Sequence, residues 1–427
     1  MLVVIIAFVV FLLLGMPVAF AIGISGFLWF LQHLDLPITI PIQVSLSQTQ
    51  SFTLLAIPMF ILAGNVMNSA GVTRRLMDFA STLTGHMRGG LGQTSAVLST
   101  LMGGVSGSSI ADAAMETRML GPEMIKRGYP KGFAVAVNVW TSLITPIIPP
   151  GIAFIIYGTI GQVSIGRLFA AGIVPGVLLM VAYMFAIGVS AKRMGLQPER
   201  EKRAPASAMA KAFSRSVWSV IFPVLLILGL RTGIFTPSEV GSFAVIYGLL
   251  IGFLLHRELN VRTMFNETLE HSIGDIGSVM YIIVMSAIFS YGLVWERIPE
   301  VMANTLLGVT TNPHLLLLTI VIFLVFAGLF IDATALILMT TAVFLPVARK
   351  IGIDPVYFGL MFILSAAMGN QTPPVGASMY AGCSILDASV EEYTRASLPF
   401  FVATVAVIIL LIFFPQLVLI IPNLIFG

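Results

Sequence analysis

Four short segments hold side chains whose types and spacing could do chemistry inside an otherwise apolar chain. The first is GGVSGSSIADA, residues 103–113, with Ser106, Ser108 and Ser109 among glycines and Asp112 close behind. The second is TPIIPPG, Thr145 to Gly151, with Pro146, Pro149 and Pro150. The third surrounds Gly328, Asp332 and Thr334, and the fourth is GNQTPPVG, Gly369 to Gly376, with Asn370, Gln371 and Thr372. Proline removes a backbone donor and clashes with the preceding turn, so two adjacent prolines unwind a helix. Unwinding frees carbonyls at one half-helix end and amides at the other. Freed carbonyls with Ser and Thr hydroxyls form an oxygen cage that suits a small hard cation. Half-helix N-termini carry positive partial charge and suit an anion.

Asp332 is the most informative acid, because it lies between Leu324 and Leu338 with no basic residue near it in sequence. An intramembrane carboxylate is costly and usually functional. It needs a cation, a proton or a donor-rich solute. Asp112 is open to two readings, a site residue or the cap of a helix, since it follows Ser108 by about one turn. At least one of Asn370, Gln371 and Thr372 is expected to contact a ligand directly. Small-residue helix packing is the competing reading for Gly103 and Gly104.

These segments need a scaffold, and the composition says which kind. The chain has 427 residues, of which 58% are hydrophobic and 10% charged. Soluble domains hold about 45–50% apolar residues. Runs of about 20 apolar residues, enough to cross a bilayer, recur throughout. The reading is an all-α integral membrane protein. The first segment, 1–29, has no basic stretch and no small-residue cleavage site, so it is expected to remain as a helix. One cysteine, Cys383, leaves no internal disulfide, and five scattered histidines offer no metal cluster. A net charge of +3 gives no ground for a nucleic-acid partner.

The stretch from Lys192 to Arg215 holds seven of the 22 basic residues and is expected to be cytoplasmic. Nine crossings are expected, at about 1–31, 51–68, 132–160, 165–190, 217–231, 236–255, 275–294, 356–386 and 397–425. The odd count puts the N-terminus inside, in the cytoplasm, and the C-terminus outside. Two further stretches, about 90–120 and 313–345, are too short for two crossings and long for one. Both read as re-entrant hairpins, tolerated where protein or a water-filled cavity satisfies the bent backbone. Segments 71–79 and 258–265 read as amphipathic helices along the cytoplasmic interface, against membrane lipid.

The chain also repeats itself. A separation of 224 brings Gly104 onto Gly328, Pro122 onto Pro346, Lys126 onto Lys350, and Pro149-Pro150 onto Pro373-Pro374. Proline and glycine fix backbone shape, so their recurrence carries more weight than recurring Leu or Val. Residues 1–190 and 236–427 are expected to be two repeats, joined through 191–235 by the basic loop and a connector helix. Five expected crossings lie between the hairpins, which inverts one repeat against the other. This is the plan of many secondary transporters.

No Lys or Arg falls at the middle of any expected span. An anionic solute would therefore be met by helix N-termini, hydroxyls and bound cations, which favours cation coupling. One charge moved across 100 mV yields about 2.3 kcal/mol. No Walker motif is present, which argues against ATP hydrolysis. Gly104-Val-Ser106-Gly107 also matches the surroundings of an intramembrane serine nucleophile, which would need a histidine base within reach.

GGVSGSSIADA, MLGPEMIKRGYPKGFA, TPIIPPGIAF and NQTPPVG together resemble the large membrane subunit of tripartite ATP-independent periplasmic (TRAP) transporters, over essentially the whole chain. The resemblance implies a sodium-driven symporter of the bacterial or archaeal inner membrane, not an enzyme. It implies two partners, a periplasmic substrate-binding protein and a separate small four-helix membrane subunit. It also implies an elevator-type motion of the hairpins and broken helices. Ser106, Ser108, Ser109, Thr145, Pro146, Pro149 and Gly151 would form one sodium (Na+) site. Gly328, Asp332, Thr334, Gly369, Thr372 and Gly376 would form a second. Solute would touch Asp332, Asn370, Ser106 and Ser108. Family substrates are mostly organic acids, including sialic acids and C4-dicarboxylates. Asp332 favours a polyhydroxylated monoacid over a bare dicarboxylate. A sodium/dicarboxylate or citrate symporter of similar plan, working without a binding protein, is the alternative.

Overall fold

Side-chain oxygens placed just before apolar runs start several of the helices. Ser108, Ser164, Asp332 and Asp354 each accept a first-turn amide, and Thr236 and Ser389 form reciprocal capping boxes with Glu239 and Glu392. The structure is a computed structural model and describes residues 1–310 and 312–427. Among the described residues it is helical, with no strand.

The first half holds α1 (Leu2–Leu13), α2 (Val18–Leu31), α3 (Ile40–Thr49), α4 (Ala56–Ser69) and α5 (Val72–Thr84). A hairpin follows, α6 (Gly90–Met102) and α7 (Ser109–Lys126). Then come a broken helix, α8 (Lys131–Thr141) and α9 (Ile152–Gly161), and the long α10 (Ile165–Arg193). The connector α11 (Ala206–Arg231) leads to α12 (Pro237–Leu250). The short α13 (Val261–Thr263) runs through a widened turn into α14 (Leu269–Trp295), and α15 (Ile298–Val309) follows. The second hairpin is α16 (Pro313–Gly328) and α17 (Ala333–Lys350), and the second broken helix is α18 (Pro355–Gly369) and α19 (Ala377–Leu386). The chain closes with α20 (Val390–Phe413) and α21 (Gln416–Phe426).

The sequence repeat is written into these bounds. Both ends of α7 and α17 lie 224 residues apart, each helix has 18 residues, and each is followed by a left-handed glycine, Gly128 at φ 84° and Gly352 at φ 77°. Left-handed backbone is open to glycine without the Cβ penalty, so both helices stop at matched places. Packing is reciprocal across the halves: α4 lies on α12 and α2 on α14, α7 on α19 and α17 on α9, α8 on α20 and α18 on α10.

Several expectations need correction. Among the described residues six helices are individually long and apolar enough to cross a membrane, or seven if α4 and α5, bent by 67°, count as one span. The other expected crossings are built from shorter pieces. Residues 1–31 form two helices broken around the left-handed Gly15, whereas the expected 397–425 crossing is α20, one of the six, which ends at Phe413. The expected loop at 192–215 is shorter, because α11 begins at Ala206 and takes Lys211 and Arg215 onto its first turns. Ala and Lys are good helix formers, so hydrophilicity alone did not mark a loop there. The interfacial helix expected at 71–79 is α5, but 258–265 is no separate helix and feeds into α14. The hairpins run further than expected, to Lys126 and Lys350.

Candidate functional site

The first tip is the six-residue turn between α6 and α7. Gly103 and Gly104 pack tightly there: an added Cβ would come 2.4 Å from Ile148 at the first and 2.4 Å from Pro223 of α11 at the second. Close packing is therefore their role. Ser106 donates a 2.6 Å hydrogen bond to Asp112, and Ser108 caps α7 by accepting from the Ala111 amide. Gly107, at φ 65°, sits against the Pro150 carbonyl of the first break, which joins tip to break. The carbonyls of residues 145–150 accept no backbone hydrogen bond, so the proline-rich break leaves a run of free acceptors.

The second tip is built alike with other side chains. Asp332 caps α17, its Oδ1 accepting from the Thr334 amide at 2.8 Å, and its Oδ2 lies 3.3 Å from the Asn370 amide nitrogen, which donates. Asp332 therefore holds the capping place that Ser108 holds in the first half, and Asp112 does not cap. Its position one turn inside α7 leaves it facing Ser106 instead. Gly328 and Gly369 touch backbone to backbone: a Cβ on Gly369 would lie 2.3 Å from the Gly328 carbonyl carbon. The Gly376 amide donates to the Leu329 carbonyl at 3.1 Å, tying tip to break. The carbonyls of residues 372–375 accept no backbone hydrogen bond. Buried beside them, Asn370 Oδ1, both amide atoms of Gln371 and Ser378 Oγ have no partner among the described residues. The Thr372 hydroxyl turns back to the Met368 carbonyl at 2.8 Å.

One cavity of about 550 Å³ brings the two tips together. Ser106, Ser108, Ser109 and Asp112 line it from the first tip, Asp332 and Thr334 from the second, and Pro146 and Asn370 from the breaks. Thr145, Pro149, Gly151, Gly328, Gly369, Thr372 and Gly376 are not on this lining. The opposite wall was missed from sequence: Asn65 and Asn68 of α4, and Asp275 and Ser278 of α14. Asn65 donates to Asp275 at 2.9 Å and to Ser272 at 3.2 Å. The available signal was a polar pair spaced three residues apart at the edge of each apolar span, which puts both members on one helix face. Among the described residues no Lys, Arg or His lines the cavity. Ser106 is paired with Asp112, and no histidine stands within reach of it as the serine-nucleophile reading would need.

A family model described as "Tripartite ATP-independent periplasmic transporter, DctM component" matches residues 5–417. The chain belongs to this family. The sialic acid TRAP transporter large permease SiaM of Vibrio cholerae is 34% identical over 97% of this chain and 96% of its own length. The C4-dicarboxylate TRAP transporter large permease DctM of Rhodobacter capsulatus is 30% identical over 97% and 96%. Among solved structures, the YdaH transporter of Alcanivorax borkumensis superposes with a TM-score of 0.66 at 15% identity, covering 90% of this chain and 89% of that one. The likeness to YdaH is one of fold alone. As a TRAP large permease component, the chain is a multi-pass membrane transport protein and not an enzyme.

Proposed function

We propose that this TRAP permease imports a carboxylate solute together with sodium across a bacterial or archaeal inner membrane. The observation that carries the reading is the single cavity between two hairpin tips, each backed by a break rich in free carbonyls. A volume of about 550 Å³ suits a small organic acid. With no basic side chain on the lining, the solute carboxylate is met at the N-terminus of α7, where Ser108, Ser109, Ile110 and Ala111 face the cavity. Sodium, as co-substrate, supplies the remaining positive charge.

The first sodium is assigned to Ser106, Ser108, Ser109, Thr145 and the backbone of Pro146, Pro149 and Gly151. The second is assigned to Asp332, Thr334, Thr372 and the backbone of Gly328, Gly369 and Gly376. The unpaired buried oxygens of Asn370, Gln371 and Ser378 fit a cation or water at the second break. The lining holds Asp112, Asp275 and Asp332. Three carboxylates repel a bare dianion and accept hydroxyl donors, which favours a polyhydroxylated monoacid of the sialic acid kind over a C4-dicarboxylate.

Residues 1–190 and 236–427 act as inverted repeats around the 191–235 connector, with the N-terminus cytoplasmic and the C-terminus periplasmic. The polar wall of α4 and α14 is the fixed side. The tips and breaks slide past it as a unit in an elevator motion. A periplasmic binding protein delivers the solute, and a small four-helix membrane subunit supports the fixed side.

The test is uptake by proteoliposomes holding this chain and its small subunit. Binding protein and labelled sialic acid are placed outside, and inward sodium is then exchanged for potassium. Uptake that needs both sodium and the binding protein is expected. Uptake of succinate but not sialic acid would overturn the solute preference. Uptake indifferent to the binding protein would make the chain a free-standing symporter.

A further inference from the structure

Glu116 has no part in the site described so far. It lies one turn below Asp112 on α7 and is fully buried. Three hydroxyls surround it, Ser95 and Ser99 on α6 and Thr141 at the end of α8. Four contacts in this cluster are short. Ser95 Oγ lies 2.6 Å from Glu116 Oε2, and Ser99 Oγ lies 2.6 Å from Glu116 Oε1. Ser95 Oγ lies 2.7 Å from Thr141 Oγ1, which lies 2.8 Å from the Val137 carbonyl oxygen.

Each such contact between oxygens needs one proton. Ser95, Ser99 and Thr141 supply one each, and a carbonyl supplies none. The fourth proton belongs on Glu116. With it there, Glu116 donates to Ser95, Ser95 to Thr141 and Thr141 to Val137, while Ser99 donates to the other carboxyl oxygen. Every proton then has an acceptor. A bound metal cation does not fit the same contacts. Oxygens held about 2.4 Å from a central ion of calcium or sodium size stand about 3.4 Å apart in an octahedral shell.

The charges facing Glu116 agree. The α6 helix and the turn at 142–144 carry no titratable group. The α8 helix has only Lys131, at its exposed start beside Asp387. Packed from the other side, α19 brings exposed Tyr380 and buried Cys383. On α7 itself Arg118 and Lys126 are exposed, Glu123 pairs with Arg127, and Asp112 is the nearest acid. No cation faces the carboxyl, and an unpaired buried carboxylate is far costlier than a neutral acid.

We propose that Glu116, Ser95, Ser99 and Thr141 form a proton-binding site inside the first hairpin, and that transport requires it to be loaded. Loaded, it bonds α7 to α6 and α8 and keeps Glu116 neutral one turn from the buried Asp112. Emptied, it sets a negative charge beside that second carboxyl and breaks the proton chain between the helices.

Two readouts test this, and only the second rests on the transport reading. Infrared spectra of the purified chain in lipid should show the carbonyl band of a protonated carboxylic acid at neutral pH, lost in Glu116→Gln. Absence of the band from the unaltered protein, or its full persistence in Glu116→Gln, overturns the proposal. In proteoliposomes, uptake by the unaltered protein should fall as alkaline pH empties the site, about tenfold per unit beyond the midpoint. Glu116→Gln, which mimics the loaded state, should hold its neutral-pH rate there. An unchanged alkaline fall in Glu116→Gln, or loss of uptake by an inserted Glu116→Gln chain, contradicts it.

Discussion

In the first hairpin α6 is buried along most of its length, and its hydroxyls reach across to α7. In the second, α16 exposes Leu315, Leu318, Ile322, Phe323 and Phe326, and its Thr319 hydroxyl bonds back to the Leu315 carbonyl of the same helix. Residues 224 apart make the contrast sharper. Ser99, Asp112 and Glu116 of the first hairpin correspond to Phe323, Leu336 and Thr340 of the second. Thr340 too returns its hydroxyl to its own helix, at the Leu336 carbonyl. The duplicated backbone frame has kept its caps and stops while its interior chemistry has diverged. Surroundings account for the direction. A hairpin enclosed by protein can carry polar groups because neighbours satisfy them. One that faces lipid or a partner subunit must satisfy its backbone and hydroxyls internally.

The largest expected break in the comparison is at the tips. Asp332→Asn keeps a good helix cap but removes the charge that faces the cavity. Uptake of a hydroxylated acid should fall about 10- to 100-fold, the value of one hydrogen bond to a charged group. Chain insertion, read by membrane yield, should not change. The matching Ser108→Ala in the first tip should lower uptake less, because it removes a cap and one neutral sodium-site hydroxyl but no charge.

Next in size is the close approach in the second half. Gly369→Ala places a Cβ 2.3 Å from backbone that cannot swing aside, and should lower thermal stability by about 1–3 kcal/mol. The first half has Thr145 at the matching position, so that half already accommodates a side chain there. The smallest effect is at the periphery. Arg74 and Arg75 of α5 both reach Glu258, at 2.6 and 2.7 Å, whereas the second-half arm α15 is met by Lys350 only through Asn304 at 3.4 Å. Glu258→Ala should cost at most about 1 kcal/mol in a melting measurement, and less in high salt.

Much of this frame was legible in the sequence because proline and glycine act locally. The two breaks, the two tips and the repeat all follow from residues that limit the backbone whatever surrounds them. Side-chain roles were less legible. Asp112 and Asp332 read from sequence as a candidate cap and a free site acid, but Asp332 is the cap and Asp112 is held by Ser106. Capping depends on which residue the helix starts after, and helix starts are the least certain feature of a sequence reading. The wall of Asn65, Asn68, Asp275 and Ser278 was missed because tertiary packing joins segments some 210 positions apart. Glu116 was passed over for the same reason. Its partners on α6 and α8 become visible only when three helices meet.

The claim that each tip and its break hold a sodium ion is tested most directly by the sodium dependence of solute uptake. The unaltered protein should be compared with Thr145→Ala and Thr372→Ala, one substitution per break. The account predicts a sigmoidal dependence, with the half-saturating sodium concentration raised in both variants. A hyperbolic dependence, or a curve unmoved by either substitution, would contradict it.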